Sequence, residues 1–217
     1  ADFVTDANIR REPTGWPVTE ARVAFEMPTV PDTVPLSLGL SGHIGATQFD
    51  FLTAGPPPTN LPPADDQQFL SWSMHLDWVI PLSSRARIRG EFFKGANLAS
   101  YWGGIAQGVC SCMRVPIRST GGWVEWNWDW SPTWHSTVGY GLDDPNNHDS
   151  MIGRVYNQMI FANATVDVTD RLMTGVEVAF WNTHYHDLRV GQVPPALLTP
   201  QAAGESVTFQ WTVRYGF

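Results

Sequence analysis

Val207-Thr208-Phe209-Gln210-Trp211-Thr212-Val213-Arg214-Tyr215-Gly216-Phe217 alternates without a break. Val207, Phe209, Trp211, Val213, Tyr215 and Phe217 are apolar, while Thr208, Gln210, Thr212, Arg214 and Gly216 are small or polar. A period of two marks a β-strand whose faces meet different surroundings. The run is long for a soluble sandwich strand and keeps its aromatic residues to its end. A strand of about 9–11 residues is what a tilted crossing of a hydrocarbon core requires.

The same period recurs throughout the chain. Residues 18–27 set Ala21, Val23, Phe25 and Met27 against Glu20, Arg22 and Glu26, and residues 35–46 set Leu36, Leu38 and Leu40 against Ser37, Gly39 and Ser41. In 69–80, Leu70, Trp72, Met74, Leu76, Trp78 and Ile80 oppose Ser71, Ser73, His75 and Asp77. In 85–94, Ala86, Ile88, Gly90 and Phe92 oppose Arg85, Arg87, Arg89 and Glu91. In 121–130, Val124, Trp126, Trp128 and Trp130 oppose Trp123, Glu125, Asn127 and Asp129. Residues 133–142, 155–168 and 171–181 follow, the last with Val176, Val178 and Phe180 opposite Gly175, Glu177 and Trp181. A weaker alternation at 2–10 brings the total to about ten strands.

Connections alternate in length. Short ones lie at 28–34, 81–84, 131–132 and 169–170; long ones at 48–67, 95–118, 143–154 and 182–204. Short turns at one rim and long loops at the other are the form of a transmembrane β-barrel. With Phe217 on the periplasmic side, every short turn falls there too. Three descending strands end alike, on Leu76-Asp77-Trp78, Trp128-Asp129-Trp130 and Val166-Asp167-Val168. That is a weak hairpin repeat of roughly 35–50 residues. Bulky aromatics on the apolar faces sit at strand ends (Trp78, Trp130, Trp134, Tyr215), as an interfacial girdle would. The opposite faces carry charges in mid-strand, as a wetted lumen would. The expected fold is an all-β, antiparallel transmembrane β-barrel, with residues 1–217 in a single domain.

Composition excludes other classes. The net charge of −8 argues against a nucleic-acid partner. No run approaches the roughly 18 apolar residues of a membrane helix. The start lacks the charged and apolar regions of a signal peptide. Cys110 and Cys112 stand one residue apart, where a bridge would close a small, strained ring. Two cysteines cannot make a disulfide framework.

Five segments resemble outer-membrane porins of the planctomycete type and, more loosely, dicarboxylate-type porins. They are G-E-F-F-K-G-A-N-L (90–98), G-G-I-A-Q-G-V (103–109), G-G-W-V-E-W (121–126), G-Y-G-L-D-D-P-N-N (139–147) and V-Y-N-Q (155–158). The terminal stretch resembles the signature by which outer-membrane barrels are recognised by the barrel-assembly machinery, with Val213, Tyr215 and Phe217 as its residues. The resemblance implies a passive channel for small hydrophilic solutes in the outer membrane of a Gram-negative bacterium. It implies a monomer or homotrimer of about 14–18 strands per chain and about 400 residues, of which this chain is the C-terminal part. Outer-membrane lipid, the assembly machinery and the solutes are the expected partners; no cofactor and no metal are expected.

Several groups are candidates for the chemistry. Arg85, Arg87 and Arg89 form a ladder that would attract anionic, carboxylate-type solutes. Equally, they can pair across strands with Asp129 and with Glu91, at about 0.2–1 kcal/mol per pair. His75, Asp77, Glu125, Glu177 and Arg214 complete the expected pore lining. Segment 94–118 is expected to fold inward as a constriction, with Tyr101, Trp102 and Ile105 against the wall and Arg114 and Arg118 adding positive charge; the competing reading is an external loop. Ser73, His75 and Asp77 invite a hydrolase reading, which needs a base within about 2.6–3.2 Å of the nucleophile. Same-face strand neighbours lie about 7 Å apart, so these three read as polar lining and no catalytic residue is expected. His184, His186 and Asp187, like Asp143, Asp144, Asn146, Asn147 and Asp149, match no metal-site spacing and read as solvated loop tips. The alternatives to a channel are a small closed barrel with a structural or adhesive role, an outer-membrane enzyme, and a soluble glycan-binding sandwich.

Overall fold

The alternating runs pair with their neighbours along almost their whole length. A computed structural model describes residues 9–12, 15, 17–31, 33–55, 59–150, 153–185 and 204–216. Its strands are β1 (Ile9–Glu12), β2 (Thr19–Met27), β3 (Leu36–Phe51), β4 (Ala64–Ser83), β5 (Ala86–Ala96), β6 (Val109–Cys110), β7 (Val115–Pro116), β8 (Arg118–Asp129), β9 (Trp134–Pro145), β10 (Arg154–Thr169), β11 (Leu172–Tyr185) and β12 (Gly204–Tyr215). Ten of them form one antiparallel sheet in the order β1-β3-β4-β5-β8-β9-β10-β11-β12, with β2 also on β3. β1 and β2 share one edge of β3, Ile9 opposite Phe51 and Thr19 opposite Ile44. Pro17, which has no N–H to donate to a ladder, lies just before β2. Among the described residues the sheet is open: β12 pairs with β11 alone. No helix there is long and apolar enough to cross a membrane.

The strands outrun the pattern that announced them. β3 continues to Phe51 and β4 begins at Ala64, so their connection is shorter than the expected 48–67. The period of two persists there, but Phe49, Phe51 and Phe69 occupy the positions that are polar lower down. The strand expected at 2–10 lies mostly outside the described residues, as does most of the loop at 182–204.

One face of the sheet is apolar and exposed. Val138, Ala162, Val178 and Phe209 stand side by side across four strands, and Phe209 is 81% exposed. Val23, Leu40, Met74, Trp126, Ile160 and Trp211 belong to the same face and are also exposed. The other face is polar and covered: His43, Ser71, Ser73, Glu125 and Asn127 are all buried. Water-soluble domains place these residue classes the other way round. A continuous apolar surface of this extent marks a contact surface for a membrane or for another protein.

Glycines shape the polar face. Phe93 lies over Gly121 of the next strand and Phe161 over Gly139; a Cβ on either glycine would run into the ring. Cys110 and Cys112 are joined in a disulfide, with Cα atoms 5.4 Å apart.

Candidate functional site

The pleat sends every second side chain of each strand to the polar face, and adjacent registers bring opposite charges together. Nearest the short turns, Arg22 of β2 reaches across β3 to Asp77 of β4 at 2.6 Å, over Gly39, which has no side chain to block it. Arg87 of β5 meets Asp129 of β8 at 3.0 Å. Arg89 pairs with Glu125, which is only 7% exposed and also accepts from Asn127 at 2.9 Å. His135 of β9 bridges Asp129 (2.7 Å) and Asp167 of β10 (3.2 Å). Asn163 donates to Glu177 at 3.2 Å. Asp77, Asp129 and Asp167 are the acidic residues of the three repeated strand ends, each on the polar face between two residues of the apolar face.

The ladder differs in detail from its sequence reading. Arg85 precedes β5, exposed in the β4–β5 turn, where its carbonyl accepts from the Asp129 amide at 2.7 Å. Glu91 bonds to His75 rather than to an arginine. Arg214 stands on the polar side of β12 opposite Met173. Val213 and Tyr215 are exposed on the apolar side, and Phe217 lies outside the described residues.

Toward the long loops the polar face is covered by residues 97–117. The chain leaves β5 through Asn97 in a left-handed conformation (φ +58°) and makes two short 3-10 turns, Ala99–Tyr101 and Gly104–Ala106, before the β6–β7 hairpin. Trp102, Ile105, Ala106 and Arg114 are left-handed as well. A β-branched residue such as Ile105 is strained there and holds only because its surroundings over-determine it. The surroundings do so. The Ile105 amide donates to the Asp143 carboxylate at 2.7 Å, and the Arg154 guanidinium donates to the Ile105 carbonyl at 2.6 Å. Gln107 both donates to the Arg154 carbonyl (2.9 Å) and accepts from its amide (3.0 Å).

On the opposite side of the segment, Asn97 donates to Thr47 at 2.6 Å, Tyr101 stacks on His43 at 3.9 Å, and Thr59 donates to the Cys112 carbonyl. Arg114 donates to the Leu61 carbonyl and lies 4.5 Å over the Phe51 ring. Val109 packs on Phe49, Phe51 and Phe69, while Cys110, Cys112 and Ile117 form a second apolar cluster with Met113 and Val115. The segment thus spans the polar face from β3 and β4 to β9 and β10. A cavity of about 510 Å³ remains beneath it, between Trp102, Ile105 and Ala106 on one side and Trp123, Met159 and Trp181 on the other. Trp102 is 76% exposed.

Arg118 belongs to β8 rather than to this segment and pairs with Asp149 at 2.7 Å. The guanidinium holds the Asp149 carboxyl below its ordinary range. Its contribution is complete above the usual carboxylate range and is lost as pH falls through the lowered value.

Two expectations about chemistry change. Ser73 and His75 do meet: His75 Nε2 lies 2.8 Å from Ser73 Oγ, because the imidazole reaches back along its strand. The carboxylate on the far side of that ring is Glu91, at 2.6 Å; Asp77 is engaged by Arg22. Ser73 is 4% exposed and its hydroxyl also contacts His43, so it is enclosed within the wall. Among the described residues no three metal-ligand side chains gather. His184 stacks on Tyr156, and His186 and Asp187 lie outside the described residues. Asn97, Gln107, Asp143 and Arg154, which hold the segment in place, carried no periodic signal in the sequence.

No family model matches the chain, and no curated protein matches it. Among solved structures it is similar to the outer membrane channel DcaP of Acinetobacter baumannii, with a TM-score of 0.56 and 11% identity over 96% of this chain. The match covers 61% of that channel's chain, so the present chain spans less than two thirds of its length. What the two share at this identity is the fold: an all-β, antiparallel sheet built like that of an outer-membrane channel.

Proposed function

We propose that this sheet is part of the wall of a β-barrel in a bacterial outer membrane, acting as a passive diffusion channel for small hydrophilic solutes. The observation that carries the reading is the inverted exposure of the two faces, apolar side chains exposed on one and polar side chains covered on the other. A bilayer outside and water inside is the setting in which that distribution is stable. The likeness to a channel supports the same reading. The nine strand positions here would form part of a barrel of about 14–18 strands, completed by further strands and assembled as a monomer or homotrimer. Val213, Tyr215 and Phe217 would serve recognition by the assembly machinery.

Residues 97–117 act as the constriction, and the ion-pair ladder from Arg22 to Asp167 lines the path, with Glu177 and Arg214 further round the wall. Arg87 and Arg89 are both matched by carboxylates, so small carboxylate solutes pass by exchanging with Asp129 at Arg87. The test is planar-bilayer recording of the detergent-extracted protein. Deleting 100–112 should raise single-channel conductance, and R87E with R89E should shift the reversal potential toward cations. Unchanged conductance would remove the constriction, and an absence of channels in the intact protein would overturn the function.

A further inference from the structure

An unbroken hydrogen-bonded chain crosses three strands beneath the inward segment. Glu91 Oε1 lies 2.6 Å from His75 Nδ1, and His75 Nε2 lies 2.8 Å from Ser73 Oγ. Ser73 Oγ lies 2.6 Å from His43 Nδ1, and His43 Nε2 lies 3.0 Å from Ser71 Oγ. Ser71 then donates to the carbonyl of Asn97 at 3.0 Å. Asn97 is the left-handed, 4% exposed residue at which the segment leaves β5.

Both ends of this chain only accept. An ionised carboxylate and a carbonyl have no hydrogen to give, a hydroxyl has one, and a neutral imidazole has one. The chain has five contacts. Two hydroxyls and two neutral imidazoles supply about one hydrogen too few. Satisfying every contact therefore takes an added proton. It can sit on His75, His43 or Glu91, since these arrangements differ only by hops along the chain.

We propose that the chain is a binding site for one proton, and that the bound proton locks the root of segment 97–117. Removing it leaves two lone pairs facing each other across one contact. The two longest contacts adjoin Asn97, so the carbonyl of Asn97 is the end released. Burial makes an enclosed polar atom without a partner costly, and the chain's own carboxylate, Glu91, offsets the charge that the added proton brings. The charged and titratable groups around the chain come from every neighbouring element. Glu20 of β2 is paired in register with His43; Asp77 of β4 is held by Arg22 and faces Glu91; Tyr101 of the first 3-10 turn lies on His43.

The lock rests on the channel reading; the proton site does not, and two readouts keep them apart. The first is histidine side-chain nitrogen NMR of the protein in micelles, followed from about pH 5 to pH 9. The second is channel conductance over the same range. His43 and His75 should titrate together in one step, and conductance should rise through that step as the proton leaves. Ser73→Ala leaves three contacts for three hydrogens, so the joint step should vanish and conductance should stay at its low-pH level. Ser71→Ala cuts the chain from Asn97, so conductance should stay at its high-pH level. Two independent histidine titrations, unchanged by Ser73→Ala, would overturn the proton site. A joint titration with pH-independent conductance would overturn the lock. Absence of any conductance would refute the channel, while the NMR step would still decide the proton site.

Discussion

Val176 and Glu177 are neighbours in sequence and look into opposite surroundings. Val176 is 59% exposed and stands beside Trp211 on an apolar face. Glu177 accepts a hydrogen bond from Asn163 on a face of paired charges and enclosed hydroxyls. The difference repeats along every long strand. It shows that apolar burial against the chain itself does not hold this sheet together. Backbone ladders and polar cross-strand contacts run across the whole sheet, and on the proposed reading the exposed apolar face gains its stabilisation from the bilayer. In hydrocarbon the ladders gain weight, because an unpaired backbone group has no water to turn to.

The largest expected effect breaks this comparison directly. Val176→Arg should cost about 2–4 kcal/mol in refolding into bilayers, as a charge near the midplane does. Glu177→Arg, one residue away, should cost only about 1 kcal/mol, the worth of the hydrogen bond it accepts from Asn163. Equal costs would mean that the two faces see the same solvent. A second change sharpens the contrast within the polar face, between the part under the inward segment and the part left open. Asn97→Ala puts alanine, which lacks the local side-chain bonding that lets asparagine tolerate the left-handed region, at φ +58° and removes the bond to Thr47. The loss should be about 2 kcal/mol, summing a left-handed alanine and one buried hydrogen bond, read from unfolding in micelles and from faster proteolysis within 97–117. The smallest effect belongs to the open part. Arg87→Ala removes a partly exposed pair and should cost about 0.2–1 kcal/mol, shrinking as salt is added. A salt-independent loss comparable to that of Asn97→Ala would erase the distinction.

The strands and their two faces were legible because a period of two is local. Arg22, Arg87 and Asp129 needed only the assumption of antiparallel neighbours to be brought onto one wall. The upper ends of β3 and β4 were not legible, since Phe49, Phe51 and Phe69 keep the period while reversing its polarity. The hydrogen bonds that seat segment 97–117 join residues 38 to 53 positions apart. No spacing within the segment encodes them. Ser73 and His75 were judged by the distance between strand positions, whereas a long imidazole closes that gap. The alternation runs through Arg85 and makes it the first rung of the ladder, but the turn claims it: its amide donates to Ser83 Oγ at 3.2 Å.

The inward aspartates at the short-turn rim suggest how such a wall scales. Asp77, Asp129 and Asp167 each sit between two outward apolar residues on a strand that descends to a turn. In the proposed barrel, a further hairpin carrying this triplet would widen the wall by two strand spacings, about 9–10 Å, and bring one carboxylate with it. Lengthening the gene by copying such a unit would enlarge the opening while leaving the density of charge around its edge constant.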